Sequence, residues 1–267
     1  MDRPMRLRLH SIFCLTCLSV FAAGSLPGEV MKPGAIFVES VRGDLSAKVD
    51  GESQDVLKHT RFAGQEVSFR VGDVPGSFAT VVLSNGLSLH VGTDARFTIE
   101  ELIQVPFEPS PEDKDIEPTA SKLRMSVERG SVAFVHRERG KRPFSTMEIR
   151  TPDGVLTADI RNLFIRVNGP TTMEAFLITG SARYRPHGAD AGPTLLTRQY
   201  LKTDLDDPRG YQLRDYTEQE LDEIAPPLLM AQRSSRRVVF ETTGEGKDWQ
   251  PVPLVVLPKD FFETIEE

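Results

Sequence analysis

The sequence predicts an all-β fold, and two of its features carry that prediction. Apolar and polar residues alternate along short runs, as at Leu87, Leu89 and Val91 or at Leu123, Met125 and Val127, so one face of each run can be buried while the other stays wet. Each run also meets a glycine: Gly86 in residues 81–91, Gly130 in 123–135, Gly154 in 147–157 and Gly180 in 172–184. Glycine permits positive φ or close backbone approach, so each run is expected to swing into a turn there. The expected architecture is a single β domain over residues 30–190, a sandwich or irregular β-roll of short strands. A small mixed α/β appendage is expected over 191–267.

Along the chain, residues 34–49 read as two strands about a turn at Arg42, Gly43 and Asp44. Residues 56–71 read as a further pair, with turn chemistry at Gly64 and at Gly72 and Asp73, and 74–77 make another turn. An internal echo places Gly43, Gly130 and Gly180 in the same two-sided apolar frame. The spacings between them are unequal, so no repeat of fixed period is implied. The alternation stops at 107–119, where prolines and carboxylates crowd together and neither ladder pairing nor burial is available. That stretch is expected to be a protruding acidic loop. Asp113, Asp115 and Glu117 alternate like ligands of a hard cation, but the loop glycine and bidentate Glu of a calcium site are missing.

Past residue 184 the pattern changes. Residues 194–203 can form one more strand, and 204–210 read as a turn. Thr217 and Glu220 spell a capping box, in which the hydroxyl accepts the N3 amide and the carboxylate reaches back to the cap. The helix it opens is expected to end at Pro226 and Pro227, with a second short helix running to Ser234. Residues 237–241 and 253–257 look like strands joined by a turn at Gly244 and Gly246. The tail 259–265 reads as a last helical turn, and Trp249 as a core anchor.

The N-terminus predicts export. Arg3, Arg6 and Arg8 precede an apolar run from Ile12 to Ala23 and then small residues, the order of a secretory signal peptide over residues 1–24. The run is shorter than the roughly 17 to 25 residues that span a bilayer as a helix. Both cysteines, Cys14 and Cys17, lie inside it, so the mature chain is expected to hold no disulfide. Losing three Arg and one Asp with that segment takes the formal net charge from −7 to −9. The densest basic cluster, Arg233, Arg236 and Arg237, reads as a solvated face, so no nucleic-acid partner is expected.

The sequence carries no Gly-x-Ser-x-Gly elbow, phosphate loop, dinucleotide fingerprint or His-Glu-x-x-His. His90 and Asp94 are the one pair with suggestive spacing, and they read as surface residues. Glu100 and Glu101, adjacent in an extended chain, point apart and cannot converge on one bond. No enzyme activity, cofactor or metal is expected.

Taken in order, Leu83-Ser-Asn-Gly-Leu-Ser-Leu89, Val91-Gly-Thr-Asp-Ala-Arg-Phe-Thr-Ile99, Val127-Glu-Arg-Gly-Ser-Val-Ala-Phe134, Ile149-Arg-Thr-Pro-Asp-Gly-Val155, Phe164-Ile-Arg-Val167 and Phe176-Leu-Ile-Thr-Gly-Ser-Ala182 resemble a FecR-type domain. The resemblance covers about residues 34–185. This chain departs from the family pattern at Arg161 and Asn162, where Gly-Thr is common. Only about ten residues precede the apolar run, so the cytoplasmic region through which signalling members contact a sigma factor is expected to be missing. The resemblance therefore implies an exported version of the sensing half, which binds a protein or envelope component without catalysis. Glu112, Asp113, Asp115 and Glu117 are the expected partner-binding loop. The alternative, a glycan or cell-wall binding module, fits less well with one Trp and four Tyr, since such modules present several aromatics on one face.

Overall fold

A computed structural model describes residues 30–106, 119–136, 145–169, 172–204, 207, 209–243 and 248–253. The expected signal peptide, all but Thr119 of the acidic loop with its four carboxylates, the turn at Gly244 and Gly246 and the tail 259–265 lie outside the described residues.

The all-β expectation holds: strands dominate, with one C-terminal helix among the described residues. The strands are β1 (Lys32–Pro33), β2 (Ala35–Arg42), β3 (Leu45–Val49), β4 (Glu52–Asp55), β5 (Arg61–Ala63), β6 (Gln65–Val71), β7 (Phe78–Leu83), β8 (Leu87–Val91), β9 (Arg96–Gln104) and β10 (Ser121–His136). They continue with β11 (Thr146–Thr151), β12 (Gly154–Val167), β13 (Met173–Pro186), β14 (Thr194–Leu196), β15 (Gln199–Thr203) and β16 (Tyr211–Asp215). Helix α1 (Glu218–Ser235) and a hairpin of β17 (Val238–Thr243) with β18 (Asp248–Pro253) complete the order.

Strands β1 to β16 form one hydrogen-bonded network that folds over on itself. Its first half runs β4, β3, β6, β9, β10, β11, β12, β13, β14, and its second half β5, β2, β7, β8, β10, β12, β13, β15, β16. Strands β10, β12 and β13 belong to both halves. In β10, residues 121–129 pair with β9 and residues 122–126 with β11, whereas 132–136 pair with β8 and 130–135 with β12. Inward-facing residues such as Leu123, Met125, Val127, Val132 and Phe134 are fully buried in the shared core.

The glycine turns divide into two kinds. Gly86 and Gly154 do lie at hairpin turns, joining β7 to β8 and β11 to β12. Gly130 and Gly180 do not end a strand; they lie within the continuous β10 and β13. Gly130 has φ +83, and a Cβ there would lie 2.5 Å from the Cα of Ala95. The strand bends here and its register with β9 slips beside it, which is the geometry of a β-bulge. The echoed glycines Gly43, Gly130 and Gly180 all have positive φ, and each stands where the chain passes from one half to the other. At Arg161, where the family pattern would place glycine, β12 instead shifts register between Ile160 and Asn162. Gly180 of β13 faces that shift, so the backbone freedom comes from the neighbouring strand.

Residues 194–203 form two strands with a turn at Arg198 (φ +71), where one strand was expected. The helix starts at the expected capping box but does not stop at the prolines: α1 runs through Pro226 and Pro227. The carbonyls that those prolines leave without an amide partner belong to Asp222 and Glu223, both exposed and open to water. The opposite face, Ile224, Leu228 and Ala231, packs on Phe164, Phe176, Tyr200 and Tyr216. Burying Ile224 and Leu228 contributes about 1.5–3 kcal/mol each, comparable to the cost of one interior proline. Ser234 donates to Glu39 at 3.0 Å and Arg237 reaches the same carboxylate at 3.5 Å, closing the helix C-terminus onto β2. The final hairpin covers Ala35, Phe37 and Val82 with Val238 and Phe240. Its second strand begins at Asp248, earlier than expected. Pro251 and Pro253 are tolerated there because a two-stranded ribbon has an outer edge that needs no donors.

Candidate binding surface

Three connections meet at one end of the folded network. β10 sets out from Ser121, bends at Gly130 and returns so that His136 pairs with Leu87, immediately after the Asn85-Gly86 turn. Asn85 is almost wholly buried; its Oδ1 accepts from the Leu87 amide and its Nδ2 donates to Ser121 Oγ, both at 3.2 Å. Ser121 N in turn donates to Ser145 Oγ at 2.9 Å. Both ends of β10, the turn at Asn85 and the strand start at Thr146 are thereby held together.

The acidic segment springs from the same place. Val105 N donates to Ala120 O at 3.0 Å, Thr119 Oγ1 donates to Val105 O, and Gln104 pairs with Ser121 in register. Glu112, Asp113, Asp115 and Glu117 lie outside the described residues, but their two flanks are closed as a β-hairpin neck. Gln104 at that neck is fully buried, and both of its amide atoms lack a hydrogen-bond partner among the described residues. Leaving such a group unpaired costs about 1–3 kcal/mol. Nothing in the local pattern marked Gln104, because an inward-facing polar residue in a period-two run reads like any other.

The second family-like turn lies elsewhere, at the far end of β11. Asp153 Oδ2 accepts from Thr203 Oγ1 at 2.8 Å, while its carbonyl accepts from Tyr184 Oη at 3.1 Å and the His187 amide at 3.0 Å. Burial pushes the Asp153 carboxyl up, against the pull of the Thr203 hydroxyl and of His187. This turn staples β11 and β12 to β13 and β15. The turns at Asn85 and Asp153 are therefore not brought together.

His90 and Asp94 part company as well. Asp94 pairs with Arg129 at 2.5 Å. His90 lies half-buried against the Phe78 ring (centroids 5.0 Å apart) with Nδ1 3.2 Å from Thr80 Oγ1, and desolvation lowers its pKa to about 4. Glu100 and Glu101 also point to different partners: Glu100 to Arg150 at 3.1 Å, Glu101 to Lys122 and Arg124 at 2.9 and 3.1 Å. Among the described residues no group of three His, Cys, Asp or Glu is arranged to hold a metal ion. Also among them, no helix is long and apolar enough to cross a membrane.

The fold and this surface define a mainly β module whose conspicuous features are turns, a hairpin neck and sheet faces. No family model matches the chain, and no curated protein matches it. Two crystal structures of a candidate anti-sigma factor from Parabacteroides distasonis are similar to it in outline. The first, at 2.50 Å resolution, shares 13% identity over 75% of this chain and 90% of that chain, with a TM-score of 0.41. The second, at 1.65 Å, shares 12% over 74% and 89%, with a TM-score of 0.40. A likeness of that size carries no argument about this chain.

Proposed function

We propose that this chain is an exported, non-catalytic binding or sensing module of FecR type, which recognises a protein or envelope component. The observation that supports this reading is the convergence of the Asn85-Gly86 turn with the neck of the acidic segment. A β module recognises partners through loops that a rigid scaffold presents together. Asn85, Ser121 and Ser145 form such a scaffold at the base of the segment carrying Glu112, Asp113, Asp115 and Glu117. A partner engaged there carries a basic surface, and the contact weakens with salt as exposed charges are screened.

The test compares the mature chain with a variant bearing Glu112→Gln, Asp113→Asn, Asp115→Asn and Glu117→Gln. A partner is captured from envelope extract and identified, and its affinity is then measured for both proteins at low and high salt. The variant binds more weakly at low salt, and the difference shrinks at high salt. Equal affinity under both conditions overturns the role of the segment. Export is tested separately by intact mass: a product trimmed near residue 24 is expected outside the cytoplasm, and a soluble cytoplasmic product still carrying Met1 overturns it.

A further inference from the structure

On the outer face of the first half, Arg70 of β6 and Arg96 of β9 stand directly opposite one another in register. Both are exposed, and among the described residues neither guanidinium has an ion-pair or hydrogen-bond partner. Like charges directly across a sheet weaken it. The same sheet neutralises its cations a strand or two further on. There Lys122 and Arg124 close on Glu101, and Arg150 closes on Glu100 and, at 2.9 Å, on Glu148. Cations are thus paired around β10 and β11 and left bare on β6 and β9.

The bare pair lines a groove of about 260 Å³, together with Lys48, Ser68, Thr98 and, as its one carboxylate, Glu128. Ser68 Oγ and Thr98 Oγ1 lie 2.9 Å apart, so two hydroxyls sit side by side next to the two guanidiniums. Beneath them Phe69 and Phe97 stack in the core with centroids 4.9 Å apart, which holds the two strands in register. We propose that this groove binds a phosphate group carried by a small molecule, gripped by Arg70 and Arg96 from two strands, with Ser68 and Thr98 supplying hydroxyl donors. Guanidinium forks match the oxygens of a tetrahedral anion, and charge-assisted hydrogen bonds are the stronger kind. The groove is short, and the chain's net charge of −7 repels an extended polyanion, so a small occupant fits.

Inorganic phosphate is the probe, titrated into the ¹⁵N-labelled chain at constant ionic strength, with chloride as the control. Saturable shifts in β6 and β9 that chloride does not reproduce are expected. In an Arg70→Gln, Arg96→Gln double variant the affinity falls at least tenfold. Arg183→Gln, an exposed arginine on β13 at the other end of the same half, leaves it unchanged. The double variant melts no lower than the parent, because removing opposed like charges does not destabilise the sheet, and this separates lost binding from lost folding. Shifts identical in phosphate and chloride, or undiminished affinity in the double variant, overturn the proposal. Binding to phosphatidylglycerol vesicles with no response to free phosphate also overturns it, in favour of a membrane surface.

Discussion

Glu220 and Arg214 join helix α1 to strand β16 through a two-pronged contact, with Arg214 Nη2 donating to Oε1 at 2.6 Å and Nη1 to Oε2 at 2.9 Å. The same carboxylate accepts from the Thr217 amide at 2.8 Å and so completes the capping box. The Arg214 guanidinium lies 4.3 Å from the centre of the Tyr200 ring, and Tyr200 Oη donates to Glu174 at 2.9 Å. One side chain thus serves the helix start and the sheet edge together.

Glu220→Ala should therefore cost about 1–2 kcal/mol at neutral pH, from loss of a cap and of an exposed ion pair. Glu220→Gln should cost less, since glutamine still serves the box. Hydrogen bonding to Arg214 brings the Glu220 pKa down to about 2. A depressed carboxyl stabilises the fold above its unfolded value, near 4.5, and that contribution fades as the pH falls towards 2. Urea melts at pH 7 and at pH 3 should show the gap between parent and Glu220→Ala narrowing in acid.

Gly130→Ala should destabilise by about 2 kcal/mol or more, because it combines a positive φ with a Cβ driven into the Ala95 backbone. Gly51→Ala is the matched control: its φ is +86, but a Cβ there meets open space. That variant should lose only about 1 kcal/mol. Denaturant midpoints of the two variants separate the steric cost from the dihedral one.

His90 should make the fold acid-sensitive above the carboxylate range. Its imidazole is held neutral in the folded state, with a pKa near 4, whereas the unfolded chain takes up its proton near 6.5. The unfolded state binds more protons between those values, so stability is complete above pH 6.5 and declines as the pH falls towards 4. The loss by pH 5 is about 2 kcal/mol at most. His90→Gln should flatten the dependence of Tm on pH between 7 and 5. An imidazole titration by NMR with a midpoint near 6.5 in the folded protein would contradict this.

Replacing residues 108–118 with a short Gly-Ser linker should shift Tm by only a few degrees. The neck is already closed by the Gln104 and Ser121 pairing, and loop entropy changes slowly with length. Limited proteolysis of the parent should cut first within this stretch, and the linker variant should resist at that place.

The legible parts of this fold were local ones. Thr217 and Glu220 announced their helix because both halves of a capping box lie within one turn of chain. Gly86 and Gly154 announced hairpins because a short turn is written in its own residues. Gly130 and Gly180 look locally like turns, since a period-two pattern on both sides of a glycine is the same whether the strand reverses or bends and continues. Which it does depends on neighbours distant in sequence, β8 and β12 for Gly130. Pro226 and Pro227 signalled a stop that the packing of Leu228 and Ala231 overrides. At the binding surface, Asn85 was legible as a turn, but its bond to Ser121 spans 36 residues. The facing of Arg70 and Arg96 depends on the register between β6 and β9, which no short stretch of sequence contains.

The sharing of β10 has a kinetic side. Its first half finds β9 early in the chain, but its second half lacks one flank until β12, up to Val167, is present. During synthesis, the core residues Val132 and Phe134 therefore stay half-covered until some thirty further residues have appeared. Sheets closed by such distant pairings form slowly and all at once. A chain of this build gains its shared core only once β12 has joined β10, so that pairing is the step on which closure of the whole network waits.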